Sequence, residues 1–271
     1  MNLEDAAALL EECNILSARK RPGVTIVETD EIFQVLDPSR PFATANSICR
    51  TNFAPGREEE SISSAMDRYG AKSLPFRWYV FPGSRPKDLA ARLSARNPTL
   101  VLPQFGFAAP CAMAHSIPAP EISLEPLSAS NLEEYILVGL ESFAEIGRST
   151  VDTIKGLAVQ AVRSPDPDYL IFLARCAGEP AGFCAIKMVR DGNKAAGFLG
   201  GAGVRPAFRH RGVMRAMIKQ RAQEMLRRGL EFMLVYSNAR TSAPIFRKLG
   251  FHEVFPFQIF DFSVERQGER Q

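Results

Sequence analysis

Between Val204 and Ile218 the chain reads VRPAFRHRGVMRAMI. A strand runs into Pro206, which breaks it. Basic residues with one glycine follow, and a helical pattern then extends from Arg209 to Arg228. Met214, Met217, Ile218 and Met225 share one face of that helix. Arg221 falls on the same stripe, so either the face is imperfect or Arg221 snorkels to water. A strand delivered directly to the start of a long helix demands a sheet for the helix to pack on. It also leaves backbone N–H groups unpaired at the positive end of the helix dipole, which is an anion site. Arg209, Arg211 and Arg215 add formal charge there, and Gly212 removes a side chain where a phosphate would touch backbone. The expectation is a phosphate or pyrophosphate cradle. It is not a P-loop, because GxxxxGK[ST] is absent. Gly200, Gly201 and Gly203 do not form GxGxxG, so a dinucleotide fingerprint is unsupported as well.

The neighbouring segments say what surrounds the cradle. SIPAP (Ser116–Pro120) reads as an extended linker and predicts two domains, 1–118 and 119–271. The second part alternates strand and helix signals. A strand at 122–127 is followed by a helix capped by Asn131 and a second helix over 151–162. YLIFLARC, AGFCAIKMV and residues 195–204 then form three strands, with DGN (191–193) as a hairpin turn. After the basic helix come the short strand FMLVY, a helix from Arg240 to Leu249, and a last strand over 254–262. This order is α+β with one mixed sheet, and the crossover helix predicts a parallel strand pair with an opening between its members.

Composition enters mainly to exclude. At 46% hydrophobic and 23% charged residues the chain has ample material for a core, so it is not disordered. No run approaches the roughly 18 apolar residues of a membrane span, and the acidic start MNLEDAAALLEECN is not a secretory signal. The five cysteines are scattered without CxxC or metal-ligand spacing. They read as reduced core thiols, with cytoplasmic location, no metal and no membrane partner as the expectations. A formal net charge of +3 is too small to imply nucleic acid, and no nucleic-acid partner is expected. It conceals a local excess, however: residues 205–228 carry eight Lys and Arg against one acid, Glu224, a net +7.

With those residues in place, the sequence resembles the GCN5-related N-acetyltransferase (GNAT) superfamily. The family's acetyl-CoA loop reads Arg/Gln-x-x-Gly-x-Gly/Ala after a strand that often ends Val-x-Pro. Val204, Pro206, Arg209 and Gly212 match; Met214 stands where Gly or Ala is usual, and His210 where a small residue is common. A second match follows in Asn238, at the end of a strand, and FRKLGF (246–251). The resemblance covers about residues 122–262. It implies a GNAT-like mixed central sheet and acetyl-CoA as cosubstrate. Backbone at Ala202, Gly203 and Val204 would pair with the pantetheine arm between two splayed strands. The N–H groups of His210, Arg211, Gly212, Val213, Met214 and Arg215, beside Arg209, would hold the pyrophosphate, and Asn238 would contact the pantetheine or the adjacent loop. The implied reaction is transfer of an acetyl group to a primary amine of a small molecule, peptide or protein. A longer acyl-CoA and a non-catalytic CoA-binding module remain alternatives, and the oligomeric state is open.

In that family a tyrosine early in the last helix often protonates the leaving thiolate. The matching residue here is Phe246, which has no hydroxyl. Tyr236 has the parity of Asn238 on the strand beside the expected slot and is the candidate acid, against the alternative that it packs in the sheet. No acid stands on residues 198–204 to serve as base. The first half echoes the second. ICRTNF, a helix over 58–69, FRWYVF and a helix at 88–93 repeat the order of the third strand, the long helix, FMLVYSN and the last helix. It reads as a degenerate GNAT-like domain without the cradle, because three Glu follow Arg57 at its helix start. Trp78, Tyr79 and Phe81 either wall the acceptor cleft or pack in a core.

Overall fold

The computed structural model describes residues 2–143 and 148–263. In chain order the elements are α1 (Leu3–Arg19), β1 (Thr25–Glu28), β2 (Ile32–Leu36), β3 (Ser47–Thr51), α2 (Glu58–Gly70), β4 (Phe76–Val80), α3 (Leu89–Ser94) and β5 (Leu100–Pro110). After a 3₁₀ turn at Cys111–Ser116 come β6 (Ser123–Pro126), α4 (Leu132–Ser142), α5 (Arg148–Arg163), β7 (Tyr169–Cys176), β8 (Glu179–Asp191) and β9 (Lys194–Val204). The chain ends with α6 (Val213–Arg227), β10 (Phe232–Asn238), α7 (Ala243–Lys248) and β11 (His252–Phe262).

Two compact units form, and they interleave along the sequence. One comprises residues 1–10, 107–236 and 246–253; the other comprises 11–106, 237–245 and 254–271. The sequence expectation of a boundary at 118/119 divides the chain into halves, whereas the units cross it. The reason lies in the closing strands. In the first-half unit β4 takes β11 as its antiparallel neighbour, with Ile259 opposite Tyr79 and Phe260 opposite Trp78. In the second-half unit the end of β5 runs beside β10, where the Cys111 N–H donates to the Glu231 carbonyl at 2.7 Å. Each unit thus receives its closing strand from the other half of the sequence.

Within the second-half unit β6, β7, β8 and β9 form a sequential antiparallel ladder. The DGN turn sits where expected, with Asp191 opposite Lys194 and Gly192 at a φ of 55°. From β9 the chain crosses through α6 to β10, which pairs with β9 in parallel only at Met233–Gly197 and Leu234–Phe198. Beyond those two positions the strands carry no mutual register, so the expected opening is present. One core lies under α4 and α5, where Tyr135, Val138, Leu173 and Phe183 are buried together. The other face of the sheet takes the apolar stripe of α6, with Met217, Ile218 and Met225 each 0% exposed. Arg221 lies on that stripe, 1% exposed, so it does not snorkel. Asn131 stands at the cap position of α4, but its side chain turns back. Its Oδ1 accepts from the Ser128 N–H at 2.8 Å and its amide donates to the Pro126 carbonyl at 3.1 Å.

The first-half unit repeats the plan. β3 pairs with β4 in parallel only at Ser47–Arg77 and Ile48–Trp78, with α2 as the crossover. The degenerate copy read from the sequence is therefore present in the backbone. Trp78, Tyr79 and Phe81 are 0%, 8% and 6% exposed and pack within their own unit; the Trp78 indole donates to Thr51 Oγ1 at 2.9 Å. These aromatics are core residues of that unit. The hairpin of β1 and β2 and the helix α1 lie in segments for which the sequence reading made no assignment. The last strand is fastened by Arg77, whose Nε and Nη2 donate to the two Asp261 carboxylate oxygens at 2.7 and 2.8 Å. Both side chains are under one-fifth exposed. Asp261→Ala strands the Arg77 charge in a desolvated place and is expected to cost about 3 kcal/mol in urea unfolding. A cost below about 1 kcal/mol would mean that the pair is effectively solvated.

Candidate active site

The loop between β9 and α6 departs from ordinary backbone at two residues. His210 has a φ of 63° and Gly212 a φ of 82°, both left-handed. Arg209, just before them, is extended at φ −63° and ψ 156°. Left-handed residues set in right-handed surroundings turn neighbouring N–H groups toward one side, forming a concave nest that suits an anion. The family's preference for small residues at the His210 position has a direct reading here, because a left-handed residue strains any side chain. Gly212 is the residue before the first turn of α6, and no side chain caps that helix. The first intrahelical bond runs from the Ala216 N–H to the Gly212 carbonyl at 3.0 Å. The N–H groups of Val213, Met214 and Arg215 precede it and have no partner in the helix. A Cβ at Gly212 would lie 2.9 Å from Pro120 Cδ. The SIPAP segment is therefore packed against the loop, and the Lys219 ammonium holds the Ile117 carbonyl at 3.2 Å.

The basic excess is mostly committed elsewhere. Arg205 makes a two-point pair with Glu141 at 2.7 and 3.1 Å. Arg209 donates to the Ser142 carbonyl at 3.1 Å and to the Val204 carbonyl at 3.4 Å. Arg227 and Arg228 both bind Glu224. Arg221 is buried, and Lys219 is spent on the linker. At the helix start this leaves Arg211, over the Phe208 ring at 5.5 Å, and Arg215, both exposed. Arg209 keeps its charge while its guanidinium joins the loop to the end of α4. An anion at this loop would meet backbone N–H groups and three nearby guanidiniums, not the full net +7 read from the sequence.

Strand β9 carries the second feature. Phe183 pairs with Gly203 and Ala185 with Gly200, so Cys184 alone faces two residues, Gly201 and Ala202. This is a β-bulge, which turns the extra residue out of the ladder. A Cβ at Gly201 would meet nothing within 4 Å, so that stretch borders open space. Gly203 is closely covered: a Cβ there would lie 2.7 Å from Ser142 Cβ and 2.6 Å from the Phe183 ring. Ser142 Oγ beside it is buried without a hydrogen-bond partner. Ala202, Gly203 and Val204 therefore lie at one end of β9, contiguous with the nest through Arg205–Phe208. Sequence reasoning missed both the bulge and Ser142. A run of four glycines in eight residues of β9 was the available signal for the bulge.

Tyr236 lies two residues beyond the last paired position of β10. Its ring meets Phe198 edge-on at 5.2 Å, and its hydroxyl donates to the Leu10 carbonyl at 2.6 Å. The start of α1 is held to the same strand region by Asp5, which pairs with Lys194 at 2.7 Å. Asn238 falls in the other unit, where its Oδ1 accepts from the N–H groups of Arg240 and Thr241 at 2.9 and 3.2 Å. Its oxygen thus shapes the turn before α7. Phe246 is 5% exposed and packed between Phe107 and Phe251, and it offers no proton. Gly250, at a φ of 81°, ends the LGF signature as a left-handed stop.

Fold and loop together define a GNAT-like α+β architecture, present in both halves of the chain. Residues 141–251 match the acetyltransferase (GNAT) family model. Solved structures agree on the fold. A protein of unknown function from Staphylococcus epidermidis superposes with a TM-score of 0.73 at 12% identity, over 91% of this chain and 96% of that one. A GCN5-related N-acetyltransferase from Kribbella flavida gives 0.64 at 15% identity, over 94% and 95%. A tandem GNAT protein from the clavulanic acid biosynthesis pathway gives 0.52 at 12% identity, over 98% and 97%. No curated protein matches the chain. Among the described residues no helix is long and apolar enough to cross a membrane.

The cysteines around the site are free, and all but Cys176 are buried. Burial pushes the Cys184 thiol up to about 11 and the Cys111 thiol up to about 12. A raised thiol pKa means less thiolate, so at pH 8 Cys184 is about 0.1% nucleophilic form. Iodoacetamide at pH 8 is expected to label native protein at Cys176 first, with Cys184 and Cys111 reacting only after unfolding. Labelling of Cys184 at the rate of Cys176 would show that the bulge region opens freely.

Proposed function

We propose that the chain transfers an acetyl group from acetyl-CoA to a primary amine of a small molecule, peptide or protein. The observation that carries this reading is the uncapped start of α6, fed by a left-handed nest and reached from a bulged strand that has parted from its neighbour. Acetyl-CoA supplies the activated thioester. The N–H groups of Val213, Met214 and Arg215 and the nest at His210–Gly212 fit a pyrophosphate, with Arg211 and Arg215 as exposed cations. Met214 does not obstruct this role, because its contribution is the backbone N–H. Ala202–Val204 present strand edge to an amide-bearing arm, and the partnerless Ser142 hydroxyl lies beside Gly203.

For the chemistry, a free amine is needed, and an alkylammonium with a pKa near about 10.4 must first lose a proton. No acidic side chain stands on residues 198–204, so that proton leaves by way of water. Backbone N–H at the bulge, Gly201 and Ala202, is the group proposed to meet charge developing on a carbonyl oxygen. A leaving thiolate with a pKa near about 8.5 needs little help, and Tyr236 is the group proposed to give it. To do so its hydroxyl exchanges the Leu10 carbonyl for the sulfur. A non-catalytic CoA-binding role is the second reading, favoured by the buried ring at Phe246 where a hydroxyl would be expected.

Free-thiol release from acetyl-CoA across an amine panel separates the two readings. Amine-dependent release supports transfer. Tight binding with no acceleration by any amine favours the binding module, and preference for a longer acyl-CoA would move the chemistry without moving the site. Gly212→Val places a β-branched residue in a left-handed position, against Pro120. It is expected to cost the loop about 1–2 kcal/mol and to raise the acetyl-CoA Kd about tenfold or more in calorimetry, with the domain still folded. Unchanged affinity would mean that the loop is not the cradle. Tyr236→Phe is expected to lower kcat about tenfold at unchanged Kd, a modest effect because the thiolate is a weak base; full activity would leave the thiolate departing without an acid.

A further inference from the structure

The buried polar group with the most unusual setting is Arg221. It sits mid-helix on the apolar stripe of α6 and is 1% exposed. Removing a guanidinium from water is costly unless its donors are met, and no carboxylate is bonded to it among the described residues. Its bonds go to carbonyls instead. Nε donates to Met217 in its own helix at 3.2 Å, while Nη1 donates to Ala185 at 3.2 Å and to Gly200 at 3.3 Å. Burial pulls its pKa down, although a guanidinium stays charged at neutral pH.

The two strand carbonyls matter because of where they lie. Ala185 and Gly200 are register partners, the last regular pair before the bulge in which Cys184 faces Gly201 and Ala202. A bulge leaves ladder groups without their usual partners, and a buried carbonyl without one is costly. A single nitrogen bridging both carbonyls pins the last regular pair before the bulge, past which the ladder resumes at Phe183–Gly203. A methionine or leucine would fill the same volume on the stripe without that bridge. The neighbouring strand offers no alternative support, because β10 has ceased to pair with β9 after Phe198.

Resting on the transferase reading above, we infer that Arg221 is a positioning residue: it clamps the β8 and β9 carbonyls at the foot of the bulge and thereby aims the Gly201 and Ala202 N–H groups at the reacting carbonyl. It touches neither cosubstrate nor amine. Its effect is on the precision of a backbone donor, and small misplacements of such a donor are costly in rate.

The test combines Arg221→Met and Arg221→Lys with two readouts. In Arg221→Met, kcat is expected to fall at least about tenfold, while the acetyl-CoA Kd from calorimetry and the KM for the amine stay within about threefold. Amide hydrogen exchange over residues 199–204 is expected to accelerate in the same variant without cosubstrate, and exchange in the rest of α6 is expected to stay as in wild type. Arg221→Lys keeps one cationic donor and is expected to recover part of both effects. If Arg221→Met does not fold, Arg221→Lys decides alone, because a single-point ammonium does not reproduce the fork; kcat and exchange both equal to wild type would overturn the inference. So would a loss of affinity equal to the loss of rate in Arg221→Met, since that marks general damage to the site. Failure of the transferase reading is separate and visible: wild type then releases no thiol with any amine, and the exchange comparison still decides whether Arg221 holds the bulge.

Discussion

Everything at the candidate site depends on a parallel strand pair that is allowed to form for only two residues. Met233–Gly197 and Leu234–Phe198 join β10 to β9, and the two then separate. Unpaired strand backbone is normally a liability, because each N–H and C=O seeks a partner. On the β8 side of β9 a bulge opposite Cys184 follows at Gly201 and Ala202, a few residues past the end of the pairing with β10, where β9 bends. The chain then leaves β9 through Pro206 and enters α6 with left-handed residues at His210 and Gly212, so bent strand and uncapped helix start are products of one continuous segment.

Charge plays a smaller part in this segment than its composition suggests. Eight basic residues in 24 imply a strongly positive surface. In the folded chain Arg205 answers Glu141, Arg227 and Arg228 share Glu224, Lys219 and Arg209 hold carbonyls, and Arg221 is interior. Arginine is suited to such work because its planar fork reaches several oxygens at once. Most of these arginines are therefore engaged within the protein, and an anion-binding role for the loop would rest chiefly on the N–H groups at the start of α6.

The sequence made the order of elements in the second half legible because its periodicities are clean. YLIFLARC and the DGN turn fall where they were expected, and the stripe of Met217, Ile218 and Met225 is buried as the spacing requires. What it could not reveal were facts that depend on distant partners. Arg221 looked like a defect in an apolar face, since the carbonyls that satisfy it lie on β8 and β9. Tyr236 was picked out by parity alone, and the Leu10 carbonyl that holds its hydroxyl is 226 residues away. The exchange of closing strands was equally hidden. β11 has the pattern of a buried strand wherever it pairs, and the Arg77–Asp261 fork, with 184 residues between its partners, and the Phe76–Phe262 stack that mark β4 as its neighbour exist only in the folded chain.

The first half shows what the same backbone plan gives when the helix start is differently furnished. β3 and β4 repeat the two-residue parallel pairing, and α2 starts, like α6, without a side-chain cap. Its first turn, however, is Glu58, Glu59 and Glu60. Bonds from Arg96 and then Arg92 hold the Glu59 carboxyl below its usual range, and a bond from Arg57 does the same for Glu60. Glu59 and Glu60 therefore stay ionised further into the acid range than free glutamates, and the acidic first turn already complements the helix dipole. An incoming phosphate would meet fixed negative charge instead of free N–H groups. The topology is the same at both helix starts: what differs is a first turn of three carboxylates, two of them paired with arginines, in a unit that keeps its fold through the core around Trp78 and the borrowed strand β11.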